Sequence, residues 1–196
     1  MFAGRVAFVT GASRGVGKAV ALALARNSCD VVIAAKTVDV DPRLPGTIHE
    51  TAREIEALGR RALPIALDVR DDEAVERAVK TTLDRLGRVD FLVNNAGALF
   101  WQSLVETPLK KFDLVMDVNV RGAFACTRHV LPAMRAQKFG HVLMMSPPVE
   151  PQAAGGKIAY AISKFGMTMI AQGLAEEVRD DNVAANALWP VTMIES

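Results

Sequence analysis

The sequence predicts an α/β fold, a doubly wound and mainly parallel sheet, and three observations carry that expectation. Short β-rich apolar runs alternate with longer stretches of helical periodicity, the pattern of βαβ units. A glycine-rich turn, Thr10 to Gly17, stands between the first such run and the first helical stretch. No repeat, linker or low-complexity segment interrupts the 196 residues, a length suited to one domain spanning 1–196.

Strands are expected at Val6–Thr10, Val31–Ala35, Ala62–Leu67, Phe91–Asn94, His141–Met145 and Val183–Leu188. The first helix carries Val16, Val20, Leu22, Leu24 and Ala25, and the second opens at Thr47 with Glu50 three residues on, the spacing of a capping box. Asp71 starts the third. A long fourth helix is expected from Thr107 as N-cap, with Pro108 in its first turn, through Leu114, Val118 and Val120 towards Met134. The fifth runs from about Lys157 to Val178 and is rich in alanine and methionine, so much of its surface is expected to be buried. Val38–Gly46 reads as a loop.

Composition narrows the function classes. The chain is 51% hydrophobic with a mean hydropathy of +0.20, which excludes a disordered polymer. Its 23 basic and 22 acidic residues leave a formal charge of +1 without a like-charge block, so neither a nucleic-acid footprint nor an anionic membrane surface is indicated. Cys29 and Cys126 lack metal or redox spacing, and His49, His129 and His141 form no ligand cluster. A small-molecule partner and no metal are expected. So is the cytoplasm or another reducing compartment, because no apolar run has the length of a membrane span or signal core.

The chemistry-bearing residues fall in order along the chain. Gly11, Gly15 and Gly17, spaced G-x-x-x-G-x-G, open the first helix directly after a strand. Such a turn lets backbone approach a pyrophosphate at the partial positive charge of a helix N-terminus; a tight packing turn is the other reading. Asn94-Asn95-Ala96-Gly97 ends the fourth strand, and Asn119 lies within the fourth helix. Tyr160 and Lys164, four apart in Tyr-Ala-Ile-Ser-Lys, share one face of the fifth helix. A phenol, with an ordinary pKa of about 10, becomes a usable base when a neighbouring cation stabilises its anion.

These four motifs together resemble the short-chain dehydrogenase/reductase family from about Gly4 to Pro190. The resemblance implies a Rossmann-like sheet of strand order 3-2-1-4-5-6, with a nicotinamide dinucleotide across the carboxyl ends of the strands at the switch between the first and fourth. It implies cofactor contacts at Gly11, Ser13, Arg14, Gly15, Val16, Gly17, Asn95 and Lys164. It makes Tyr160 the proton donor to a carbonyl, or acceptor from an alcohol, during hydride transfer, assigns Lys164 the nicotinamide ribose, and gives Asn119 a water on the proton path. Dimers or tetramers through the fourth and fifth helices are implied too.

Cofactor choice follows from the end of the second strand, where a carboxylate selects NAD and a cation accommodates the 2′-phosphate of NADP. Here Ala35 is followed by Lys36, and Arg14 adds a second cation, so NADP(H) is expected. Asp68, at the end of the third strand, is either the family's adenine-facing acid or a helix N-cap. The family's carbonyl-polarising serine aligns with Pro147, so Ser146 is either a displaced donor to the substrate or the neighbouring, non-catalytic serine.

The resemblance further implies a loop, a helix and an edge strand beyond the sixth strand. The sequence stops at Ser196, so a domain truncated at that end, with the sixth strand exposed, is expected. Thr192 to Ile194 are expected near the nicotinamide carboxamide. Ala34–Thr37, Ser146–Pro148 and Asn186–Pro190 resemble a subgroup whose implied substrates are hydrophobic, lipid-like carbonyl or alcohol compounds. The competing function is a catalytically weak NADP(H)-binding sensor or scaffold, motivated by Pro147 and the short C-terminal part.

Overall fold

Parallel strands buried on both faces need uninterrupted apolar sequence, and the two that meet this most fully lie near the sheet's centre. β1 (Val6–Thr10) and β2 (Asp30–Ala35) are buried at every residue. In the computed structural model, which describes residues 1–42, 45–147 and 154–190, they pair in parallel with Ala7 beside Val31 and Val9 beside Ile33. β3 (Ala62–Ala66) adds on the far side of β2; β4 (Phe91–Asn94), β5 (Gly140–Met145) and β6 (Val183–Leu188) continue from β1. The six-stranded order is β3-β2-β1-β4-β5-β6, the order expected, and every pairing is parallel. β3 and β6 are the edges.

Alternation along each strand builds two cores. Val6 and Phe8 join Val32 and Leu92 beneath α3 (Asp72–Leu86), α5 (Gly122–Gln137) and α6 (Ile158–Glu177). Ala7 and Val9 join Val31 and Ile33 beneath α1 (Gly15–Arg26) and α2 (Ile48–Ala57). The capping box is present: the Glu50 N–H donates to Thr47 Oγ1 at 3.0 Å and the Thr47 N–H to Glu50 Oε2 at 2.9 Å. Asp71 caps α3 by accepting the Ala74 N–H at 3.0 Å.

The fourth expected helix differs in two respects. Pro108, extended at φ −64° and ψ 139°, occupies the N-cap of α4 (Leu109–Met116). Because Pro108 itself takes the extended cap conformation, the helix starts one residue later than expected, Thr107 lies outside it, and its hydroxyl donates to Ser103 O at 2.8 Å instead. The helix also continues into α5 through a π-helical turn, Asp117–Arg121, closed by the Gly122 N–H on Asp117 O. Asn119 lies in that widened turn, a form of irregularity common at functional sites.

The two ends of the sheet differ chemically. At the amino ends, Asp30 is gripped by Arg60 at 2.6 Å and Arg61 at 2.7 Å, and Asp90 by Arg5 at 2.8 Å and Arg88 at 2.6 Å. At the carboxyl ends of β1, β2, β3 and β4, the following residues open a cleft of about 510 Å³, where the strand order reverses between β1 and β4.

Candidate active site

The glycine turn is shaped by how closely two loops meet. A Cβ on Gly17 would stand 2.4 Å from both Asn95 Nδ2 and Gly11 O, and Gly11, at φ +66°, has Ala96 Cα 2.9 Å from where its Cβ would be. Asn95 closes the contact, its amide donating to Thr10 O at 2.9 Å and Gly11 O at 3.2 Å. The Thr10 hydroxyl accepts the N–H groups of Asn95 and Ala96, each at 3.0 Å. Asn95 thus lines the cleft while its amide latches one loop to the other.

Thr47 and Asp71 cap α2 and α3 with side chains, whereas Arg14 at the start of α1 contributes no capping bond and the first turn holds no acid. The α1 terminus, bordered by Gly11, Ser13, Arg14, Gly15, Val16 and Gly17, presents its amides and partial positive charge to the cleft. That donor set fits a pyrophosphate.

The far corner is ionic. Lys36 Nζ lies 3.3 Å from Asp68 Oδ2, and Arg70 forks onto both Asp68 oxygens at 2.6–3.1 Å. Asp68 caps no helix, since Asp71 does that for α3. The Arg70 guanidinium, ahead of Lys36, holds the Asp68 carboxyl well below the usual carboxylate range. Arg14 Nη2 donates to Thr37 Oγ1 at 3.3 Å. Arg70 lines the cleft and escaped the sequence reading; an acid and a base two apart just after a strand are the signal that marks it.

Tyr160 and Lys164 border the opposite end. Lys164 Nζ sits 5.7 Å from the Tyr160 ring centroid and donates to Met145 O at 2.8 Å. Burial pushes the Lys164 ammonium down to about 8 and the Tyr160 phenol up from its ordinary value. Burial alone sets the direction of the Tyr160 shift, opposite to the lowering expected from a neighbouring cation.

Among the described residues, Asn119 and Ser146 are the two expected site residues that do not line the cleft; both are fully buried. The Asn119 amide accepts the Ala98 N–H at 2.7 Å and donates to Ala98 O and Ser163 Oγ, each at 2.9 Å. Ser163 in turn donates to Tyr160 O at 2.7 Å, so the π turn braces the helix that carries the tyrosine. Gly97 fills the gap between Asn119 and Lys164, its absent Cβ 3.5 Å from Asn119 Oδ1 and 3.8 Å from Lys164 Nζ. Ser146 Oγ donates to Lys164 O at 2.6 Å and shares a bond with Thr168 Oγ1 at 3.0 Å. Of the two roles left open for Ser146, a hydroxyl facing into the protein favours the neighbouring, non-catalytic serine over the displaced donor to a substrate. Thr168, which also receives Trp189 Nε1–H at 3.3 Å, was not singled out, although it stands one turn beyond Lys164. Thr192 to Ile194 lie outside the described residues.

Comparison with known proteins agrees with this fold. The family described as short chain dehydrogenase matches residues 5–194. Hydroxysteroid dehydrogenase-like protein 2 of Xenopus tropicalis is 46% identical over 99% of this chain, and the chain spans about half, 47%, of that relative's length. A short chain dehydrogenase from Mycobacterium thermoresistibile superposes with a TM-score of 0.92 at 42% identity, covering 97% of this chain and 68% of that one. A metagenomic short-chain oxidoreductase in complex with NADP gives 0.88 at 33% identity, covering 98% of this chain and 84% of its own. Carveol dehydrogenase from Mycobacterium avium in complex with NAD gives 0.88 at 27% identity, covering 96% and 70%.

Proposed function

The chain belongs to the short-chain dehydrogenase family, and we propose that it is an oxidoreductase specific for NADP(H), acting reversibly on a hydrophobic, lipid-like carbonyl or alcohol. The observation that carries the proposal is one cleft with two chemically distinct ends: Tyr160 beside Lys164 at one, and Lys36 with Arg14, without a carboxylate at Ala35, at the other. When bound, the nicotinamide supplies or accepts the hydride.

The chain's own residues manage the proton. Tyr160 donates to the carbonyl oxygen as it gains negative charge and takes the proton back from an alcohol in the reverse direction. Lys164, with a pKa of about 8, is mostly cationic at neutral pH and stabilises the phenolate that donation leaves behind. The resemblance gives Asn119 a water on the path by which Tyr160 regains its proton through Lys164; with its side-chain amide taken up by Ala98 and Ser163, Asn119 would hold that water through its backbone. With the Ser146 hydroxyl engaged by Lys164 O and Thr168, Tyr160 serves as the donor to that oxygen. Lipid-like substrates are supported by the segment after β4, where Leu99 lines the cleft and Trp101, Leu104, Val105 and Leu109 are exposed.

We further propose that residues 1–196 act as one cofactor-binding domain, in the cytoplasm or another reducing compartment. Among the described residues no helix is long and apolar enough to cross a membrane.

The proposal is tested by screening hydrophobic aldehydes, ketones and acyl thioesters with NADPH, parent against Tyr160→Phe. Turnover in the parent, reduced on the order of 10²- to 10⁴-fold in the variant with cofactor affinity retained, is expected. One observation favours a second reading, a catalytically weak NADP(H)-binding sensor: the Ser146 hydroxyl is engaged with Lys164 O and Thr168. Two proteins that both bind NADPH and are equally inert would establish that reading instead.

A further inference from the structure

The corner of the cleft beyond β2 contains a conflict. A cation that is to receive a phosphate stands against a carboxylate, because Lys36 Nζ is 3.3 Å from Asp68 Oδ2. Left to itself, Asp68 would harm a phosphate site in two ways. It would draw the Lys36 ammonium onto itself, and it would add negative potential where a further negative group has to sit.

The geometry shows that Asp68 is not left to itself. Its contact with Lys36 is one long approach from a side chain that is 64% exposed. Arg70 instead sends Nε to Oδ1 at 3.0 Å and to Oδ2 at 3.1 Å, Nη2 to Oδ2 at 2.6 Å, and its own backbone N–H to Oδ1 at 3.1 Å. A planar guanidinium matches both carboxylate oxygens at once, which a lysine cannot do. The loop that carries Arg70 is anchored as well: its backbone carbonyl accepts from Arg121 Nη1 in the π turn, and Gly122 packs against Val69 with no room for a Cβ.

We propose that Arg70 is a specificity-determining residue that acts through Asp68: by neutralising that carboxylate it leaves the Lys36 ammonium available to a 2′-phosphate. The inference rests on the NADP(H) reading above and deepens it. NADH, which carries no such phosphate, gains little from the arrangement, so the signature lies in the ratio of the two affinities. Contacts of Asp68 with the adenine ring are common to both cofactors and cancel in that ratio.

The test is a double-mutant cycle on the full chain, with dissociation constants for NADPH and NADH measured by equilibrium fluorescence titration. Arg70→Ala is expected to lower the preference for NADPH over NADH roughly two- to fivefold, the scale of a partly exposed ion pair. Asp68→Asn removes the conflict, so Arg70→Ala made in that background is expected to change the preference less. No change in the first background overturns the inference. An equal drop in both backgrounds also overturns it, because Arg70 would then act on the cofactor without Asp68. A parent chain with no preference for NADPH removes the cofactor reading and this inference together, whereas a parent that prefers NADPH and an unresponsive Arg70→Ala removes the inference alone.

Discussion

Lys164 carries its charge to a place almost closed to water: it is 6% exposed, and its ammonium donates to a backbone carbonyl, Met145 O. Burial disfavours the charged form and brings its pKa from 10.5 to about 8. In that window the unfolded chain binds more protons than the folded one, so this residue makes stability rise with pH between about 8 and 10.5 and contributes no slope below it. Relative to Lys164→Met, the parent is expected to gain on the order of 3 kcal/mol in unfolding free energy across the window. Urea melts at the two ends of the window measure the gain, and parallel pH dependences in the two proteins would contradict it. That Tyr160 and Lys164 share a face was legible from spacing, because four residues on a helix fix it, whereas their roles are what the family resemblance implies. The direction of the Ser146 hydroxyl was not, because its two partners, Lys164 O and Thr168 Oγ1, come from a helix 18 and 22 residues further on.

Among the elements, the turn from β1 into α1 is where sequence and geometry agree most closely. Gly17 has no room for a side chain, since a Cβ would press on Asn95 Nδ2 and Gly11 O at 2.4 Å. Gly17→Ala is expected to cost about 1–3 kcal/mol by overpacking and to weaken both nicotinamide cofactors together, because the loop latched by Asn95 must open. Thermal melts and parallel cofactor titrations check this; an unchanged melting temperature with unchanged affinities would contradict it. The π turn at Asp117–Arg121 was not legible. One extra residue in a helical turn barely disturbs an apolar periodicity that continues on either side, so α4 and α5 read as one helix. The misplaced N-cap has a simpler cause: Thr107 has the right side chain, but Pro108 adopts the extended cap conformation in its place.

At the scale of the whole molecule, the alternation of apolar runs marks βαβ units and a mainly parallel sheet, while the strand order follows from the family resemblance that the four motifs carry. What alternation does not encode is which helix faces stay uncovered. Phe124, Phe165 and Met169, on α5 and α6, are about half exposed, and a groove of about 580 Å³ runs between the two helices. A homodimer or homotetramer seated on this face is expected. Sedimentation velocity should show an oligomer in the parent and a monomer in Phe165→Glu; a monomeric parent would contradict it. The ionic corner was half legible: Lys36 is marked by its place after β2, whereas the hold of Arg70 on Asp68 depends on the rotamers of two side chains.

The central claim is that the cleft selects NADP(H) through Lys36, and it is tested most directly by titrating the parent and Lys36→Ala with NADPH and NADH in parallel, at low and moderate salt. The account predicts saturable binding that prefers NADPH in the parent, weakens with salt, and loses that preference in the variant while NADH affinity holds. Equal losses for both cofactors, or a parent that binds NADH as tightly as NADPH, would contradict it.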